Sequence, residues 1–203
     1  MPIFETLYKN YNKGDYMHRK IFILHEIYGV NEFIKEQAIE FSDDQTVVEC
    51  VALYSDGKVF PYLQEKEAYD YFTKEVGFNA PLLQLSQQLR AAIEQYQDVI
   101  LIGFSVGATL AWRLSTLPLS RVVCVYGSHI RQYLDVQPSC PTLVLLPGHE
   151  KGFNVNGMKH ALQHIHFVQT MQFVGEHGFM DEQNYAFHLE SALQAHTHIK
   201  NFI

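Results

Sequence analysis

The chain has 203 residues, of which 47% are hydrophobic and 18% charged, enough for a full core in one globular domain spanning residues 1–203. The formal net charge is −7, with no lysine or arginine block, which speaks against nucleic acid or an anionic membrane surface as a partner. The first residues carry no apolar core of signal-peptide length, and no stretch approaches the ~20 apolar residues of a spanning helix. Cys50, Cys124 and Cys140 are an odd, widely spaced set within mostly apolar runs. They read as reduced and structural, and the cytoplasm is the expected compartment.

Residues 1–19 are polar and tyrosine-rich and read as an edge strand or an arm. Lys20–Leu24 is a continuous apolar run, as in a strand buried on both faces. Asn31 is placed to cap a helix over Glu32–Phe41, where Phe33, Ile34, Ala38 and Phe41 share a face. Thr46–Leu53 is a second strand. A mixed region follows, helical over Gln64–Lys74 and broken by Gly77, Asn79 and Pro81. Leu82–Tyr96 carries a helical apolar stripe. Val99–Ile102 is a third strand, followed by Gly103-Phe104-Ser105-Val106-Gly107 and a helix over Ala108–Ser115. Further strands are expected at Arg121–Tyr126, Thr142–Leu146 and Thr170–Val174, with helices at Lys159–His164 and Tyr185–Phe202. Uniformly apolar strands alternating with helices predict an α/β fold, a mostly parallel, doubly wound sheet with helices on both faces. Sites in such sheets lie at the carboxyl ends of the strands.

The G-x-S-x-G pentapeptide at 103–107 falls at such an end, between a β-branched strand and a helix. There it forms a tight elbow, whose glycines let strand and helix come close and whose apex serine stands above the sheet. A serine hydroxyl needs a base, and His177, between Gly175 and Gly178 after the last strand, is the best placed. The H-x3-H-x-H run of His160, His164 and His166 lacks a completing ligand pattern and reads as solvated histidines, so no metal is expected. A third group should hold the imidazole. Glu150 is the only carboxylate in the loop after the fifth strand, with Asn154 and Asp135 as weaker candidates. The oxyanion donors expected from the fold are the amides of Val106 and of Ile27, in the loop after the strand beside the serine strand. Glu26, Tyr28 and Phe104 are expected to line the substrate pocket.

These segments resemble the dienelactone hydrolase family, within the α/β-hydrolase superfamily. His25-Glu26-Ile27-Tyr28-Gly29-Val30-Asn31 is similar to the family's Q-E-I-F-G-V-N segment. Ala52-Leu53-Tyr54, Gln64–Tyr69 (QEKEAY), Val125-Tyr126-Gly127 and Gly175–Phe179 (GEHGF) resemble further family segments in the same order. The resemblance implies an α/β-hydrolase fold. In the family's best-known members cysteine holds the position of Ser105, and the glutamate corresponding to Glu26 interacts with that thiol. Family arginines that meet a substrate carboxylate fall where Glu65 or Lys66, and Asp181, stand here, so a carboxylate-bearing dienelactone does not fit. The residues together point to a serine hydrolase without a cofactor, acting on a small ester, lactone or thioester. The alternatives are a non-catalytic α/β-hydrolase-like binding domain, or an acyltransferase or peptidase on the same residues. Oligomeric state is not legible.

Overall fold

The computed structural model describes residues 17–203; residues 1–16, most of the expected edge strand or arm, lie outside the described residues. The strands are β1 (Met17–Leu24), β2 (Thr46–Val51), β3 (Tyr96–Phe104), β4 (Arg121–Val125), β5 (Thr142–Leu146) and β6 (Val168–Gln172). They form one six-stranded sheet in the order β2-β1-β3-β4-β5-β6, with every pairing parallel. The helices are α1 (Glu32–Glu40), α2 (Glu65–Tyr71), α3 (Asn79–Ile93), α4 (Val106–Leu114), α5 (Val155–Leu162) and α6 (Leu189–Phe202). No described helix is long and apolar enough to cross a membrane.

Two cores lie on opposite faces of the sheet, as the period-2 alternation of strand side chains requires. Phe22, Leu24, Val99, Leu101, Val122 and Cys124 pack against Leu85 and Leu89 of α3, Leu110 and Trp112 of α4, and Met158 and Leu162 of α5. Ile21, Ile23, Ile100, Ile102, Val123 and Val125 pack against Phe33 and Ile34 of α1 and Ala195 and Ile199 of α6. Being covered on both faces is what makes the central strands uniformly apolar in sequence.

Element boundaries differ from expectation where tertiary pairing overrides local pattern. Helix α3 begins at Asn79, before Pro81, because a proline in the first helical turn lacks only an N–H that would have no intrahelical acceptor. The helix ends at Ile93, and Tyr96 joins β3 in register with Met17 of β1. The Gln64–Lys74 segment is α2 followed by a wide π-helical turn over Phe72–Val76, closed by Gly77 at φ 63°. Strand β6 is set two residues earlier than its apolar run suggests, through pairing of Val168–Gln172 with Thr142–Leu146. Helix α6 starts at Leu189 rather than Tyr185, with His188 as its cap: Nδ1 accepts from the Ser191 amide at 3.2 Å. Asn31 caps α1 as expected, accepting from the Ile34 amide at 3.2 Å.

The elbow between β3 and α4 is the tightest crossing. Ser105 sits at φ 53°, ψ −111°, a region costly for any residue with a Cβ. A Cβ on Gly103 would lie 2.2 Å from the Gly107 carbonyl oxygen, and one on Gly107 would lie 2.6 Å from the Leu24 oxygen. Both clashes are with backbone, which cannot rotate away. Gly107→Ala is therefore expected to lower stability by roughly 3 kcal/mol, read as a shift of the denaturant midpoint at unchanged m-value. A midpoint equal to that of the parent protein would contradict the close packing of α4 on β1.

Candidate active site

Three side chains converge above the carboxyl ends of β3, β5 and β6. The elbow presents Ser105 half-buried at its apex; its amide donates to Val125 O at 2.9 Å, which pins the turn to β4. His177 lies in the loop after β6, where Gly178 takes φ +90° and Gly175 packs so closely on Phe179 that a Cβ would sit 2.5 Å from its neighbour. Glu150 lies in the loop after β5. The Gly148 amide donates to Gly175 O at 2.9 Å, tying these two loops together and bringing the carboxylate to the imidazole. His177 Nε2 lies 2.8 Å from Ser105 Oγ, and His177 Nδ1 lies 2.5 Å from Glu150 Oε1. With a carboxylate on one side, the neutral imidazole carries its proton on Nδ1 and accepts from the serine hydroxyl at Nε2. Burial by itself would lower the His177 pKa, but the hydrogen bond and charge of Glu150, with smaller help from Glu26 and Glu65, hold it above the usual histidine value.

The other acid candidates are placed elsewhere. Asn154 caps α5, its side-chain oxygen accepting from the Gly157 amide at 3.1 Å, and Asp135 is exposed. Val106 is the first residue of α4, so its amide has no acceptor within the helix. Ile27 and Val106 both line a cavity of about 400 Å³ that opens over Ser105 and His177. The Ile27 loop is held firmly: Tyr54 Oη donates to Ile27 O at 2.6 Å, and the Phe60 amide donates to Tyr28 O at 2.9 Å.

Of the expected pocket residues, Glu26 and Tyr28 line the cavity and Phe104 does not. Phe104 continues the alternation of Ile100 and Ile102 and is fully buried on the α1 face, its ring 5.1 Å from that of Phe33 in an edge-to-face contact. The residue preceding the serine is thus core. Asp181 also stands outside the cavity lining: it is buried and accepts a hydrogen bond from Tyr62 Oη, which in turn accepts from Asn31 Nδ2 at 2.8 Å.

Sequence reading did not single out Tyr126 as a site residue. Fully buried at φ 41°, it places its ring 5.0 Å from the His177 imidazole. Its hydroxyl and Glu26 Oε1 lie beside each other, both buried and without a well-formed hydrogen bond among the described residues. The available signal was a tyrosine at the end of a fully apolar strand, where its hydroxyl needs a polar neighbour. Glu65, where the family resemblance put a substrate-facing position, lines the cavity with Tyr69 of the same segment on α2; the cavity walls that sequence reading missed include Ser128, His129 and Arg131 after β4, and Tyr185 before α6. These come from segments distant in sequence, with no shared motif.

Two buried groups behind the site titrate in opposite senses. His25 Nδ1 donates to Glu26 O, and Nε2 accepts from the Leu53 amide at 2.9 Å, so the buried ring is neutral. Burial lowers its pKa to about 4, and burial raises that of Glu26 to about 7. For His25, the unfolded chain binds the extra proton between pH 6.5 and 4, so this group lowers stability as pH falls through that window. For Glu26, the folded state binds the extra proton between pH 4.5 and 7, so this group lowers stability as pH rises. The two slopes oppose each other where the windows overlap. Glu26→Gln removes one of them and is expected to leave stability falling by roughly 3 kcal/mol as pH drops from 6.5 to 4. Denaturant titrations at several pH values read this directly; parallel pH profiles for parent and variant would contradict it.

The model of the dienelactone hydrolase family matches residues 9–203. The uncharacterized protein YczH of Bacillus subtilis (strain 168) is 33% identical over 185 residues, covering 89% of this chain and 90% of its own. Among solved structures, a putative dienelactone hydrolase from Klebsiella pneumoniae superposes with a TM-score of 0.75 at 17% identity, over 95% of this chain and 88% of that one. An alpha-beta serine hydrolase homologue from Coxiella burnetii superposes with a TM-score of 0.65 at 14% identity, over 94% of this chain and 88% of that one. With every described strand pairing parallel, the strained elbow and a family match over residues 9–203, the chain has the α/β-hydrolase fold and belongs to the dienelactone hydrolase family.

Proposed function

We propose that this protein is a serine hydrolase that cleaves a small ester, lactone or thioester through an acyl-enzyme on Ser105. The observation that carries the reading is the continuous Glu150–His177–Ser105 hydrogen-bonded chain at the mouth of the cavity. Ser105 Oγ attacks the substrate carbonyl while its proton passes to His177 Nε2. The oxyanion is held by the amides of Val106 and Ile27; one such donor is worth about 3 kcal/mol in the transition state. His177 returns the proton to the leaving oxygen or sulfur as the tetrahedral intermediate collapses. Water, deprotonated by the same imidazole, then releases the acid. Glu150 keeps the proton on Nδ1 and stabilises the imidazolium formed in each half-reaction.

The family's fold is compatible with a cysteine or a serine at the elbow. Serine requires a base already in contact, and the 2.8 Å Ser105–His177 contact supports that requirement being met. A fluorophosphonate probe tests the proposal: the expected result is stoichiometric labelling located on Ser105 and lost in Ser105→Ala. An unlabelled, folded protein would favour a non-catalytic binding domain on the same fold.

A further inference from the structure

Part of the cavity lining has a composition that the acyl-transfer chemistry does not use. The lining as a whole holds four carboxylates (Glu26, Glu65, Glu150, Glu176) against two permanent cations (Arg131, Lys151). Glu150 is engaged by His177. Arg131 is also engaged: its guanidinium lies 4.7 Å from the Phe153 ring and donates to Ser128 O. The wall formed by Tyr28, Glu65, Tyr69 and Tyr185 has no cation of its own among the described lining residues. Glu65 and Tyr69 are one turn apart on α2 and so share a face. Tyr28 feels the charge of Glu65 and the neighbouring Tyr185 hydroxyl, placing these groups together. Glu26, 3% exposed, also lines the cavity, with its Oε1 buried beside the Tyr126 hydroxyl.

A cavity lining that sets two carboxyl groups, Glu26 and Glu65, among the rings of Tyr28, Tyr69 and Tyr185 is complementary to a compact cation. Rings supply their negative faces, and carboxylates the charge. Both features disfavour an anionic group at this position. We propose that the substrate is an ester or thioester carrying a compact ammonium group, seated between Glu65, Tyr69, Tyr185 and Tyr28 and facing Glu26. The inference rests on the hydrolase reading above and names its substrate class. An arriving cation would favour the ionised form of Glu26, which burial otherwise resists.

The test uses matched pairs that differ in charge and not in shape. One pair puts the cation in the leaving group: 2-(trimethylammonio)ethyl thioacetate and 3,3-dimethylbutyl thioacetate. The other puts it in the acyl group: the p-nitrophenyl esters of 4-(trimethylammonio)butyrate and 5,5-dimethylhexanoate. The expected result is a cationic-over-neutral ratio in kcat/KM of about tenfold in at least one pair, falling to near one in Glu65→Gln. Ratios near one in both pairs, or a ratio that survives Glu65→Gln and Tyr69→Leu, would overturn the proposal, as would preference for a 2-carboxyethyl thioacetate. Dissociation constants of the same compounds for the Ser105→Ala protein read the charge preference without turnover. If the parent protein hydrolyses none of the compounds, the hydrolase reading fails on its own, while the binding ratio still decides for or against the ammonium site.

Discussion

Ser105→Ala is expected to abolish turnover of a short activated ester such as p-nitrophenyl acetate, with a loss in kcat on the order of 10⁶-fold. The size follows from the geometry. In the proposed mechanism His177 has no hydroxyl to deprotonate once Oγ is gone, so the residual rate comes only from binding and from the proposed oxyanion amides polarising the carbonyl toward water. The substitution removes one half-buried oxygen and leaves the backbone strain of the elbow in place, so the variant is expected to fold. Parent and variant would be compared at equal concentration with an unchanged thermal midpoint as control. Equal rates would show that any observed hydrolysis takes place away from the elbow. Ser105→Cys is the informative companion. A retained burst of acyl-enzyme would show that the proposed oxyanion amides and His177 serve a thiol as well as a hydroxyl.

The second large effect concerns Glu150. Glu150→Gln keeps the shape but removes the charge that holds the Nδ1–H tautomer, and a fall in kcat on the order of 10⁴-fold is expected. Its pH signature separates this role from simple loosening of the loop. His177 must be unprotonated to accept the serine proton, so kcat/KM rises as pH rises through the pKa of its imidazole. In the parent protein Glu150 works against burial to hold that pKa above the ordinary histidine value. Without its charge, burial dominates, and the acidic limb of the profile moves to lower pH. A variant with reduced rate and an unmoved limb would mean that Glu150 does not act electrostatically on His177. The same carboxylate at aspartate length tests reach: Glu150→Asp shortens the side chain by one methylene and opens the 2.5 Å contact to Nδ1.

Much of the site was legible before any tertiary information, for a local reason. The elbow is a local device: strand, two glycines and helix are contiguous, and the clashes at Gly103 and Gly107 explain why those positions admit no side chain. His177 and Glu150 follow strands whose order along the chain fixes which end of a parallel sheet they occupy, so chain order and loop position sufficed to nominate them. The same logic placed Ile27 beside the serine, because β1 and β3 are neighbours.

What failed was equally physical. Phe104 is adjacent to Ser105 in sequence, yet strand alternation sends it under α1, to the opposite side of the sheet from Phe22 and Leu101. Adjacency along a strand is therefore poor evidence for shared access to a cavity. Tyr96 fitted a helical stripe, but pairing with β1 claimed it for the sheet.

The sequence by itself determined the doubly wound parallel architecture and the serine at the apex of the elbow. Each of these rests on periodicity, turn chemistry or the handedness of parallel connections, which are properties of contiguous segments. Only the tertiary structure decided that Glu150 reaches Nδ1, through the Gly148–Gly175 bond between two loops. It also decided that Tyr126 lies against His177, and that Ser128, His129 and Arg131 line the same cavity as Tyr185. Those contacts join segments separated by tens of residues. Their geometry is set by how helices and loops settle on the sheet, which no local pattern encodes.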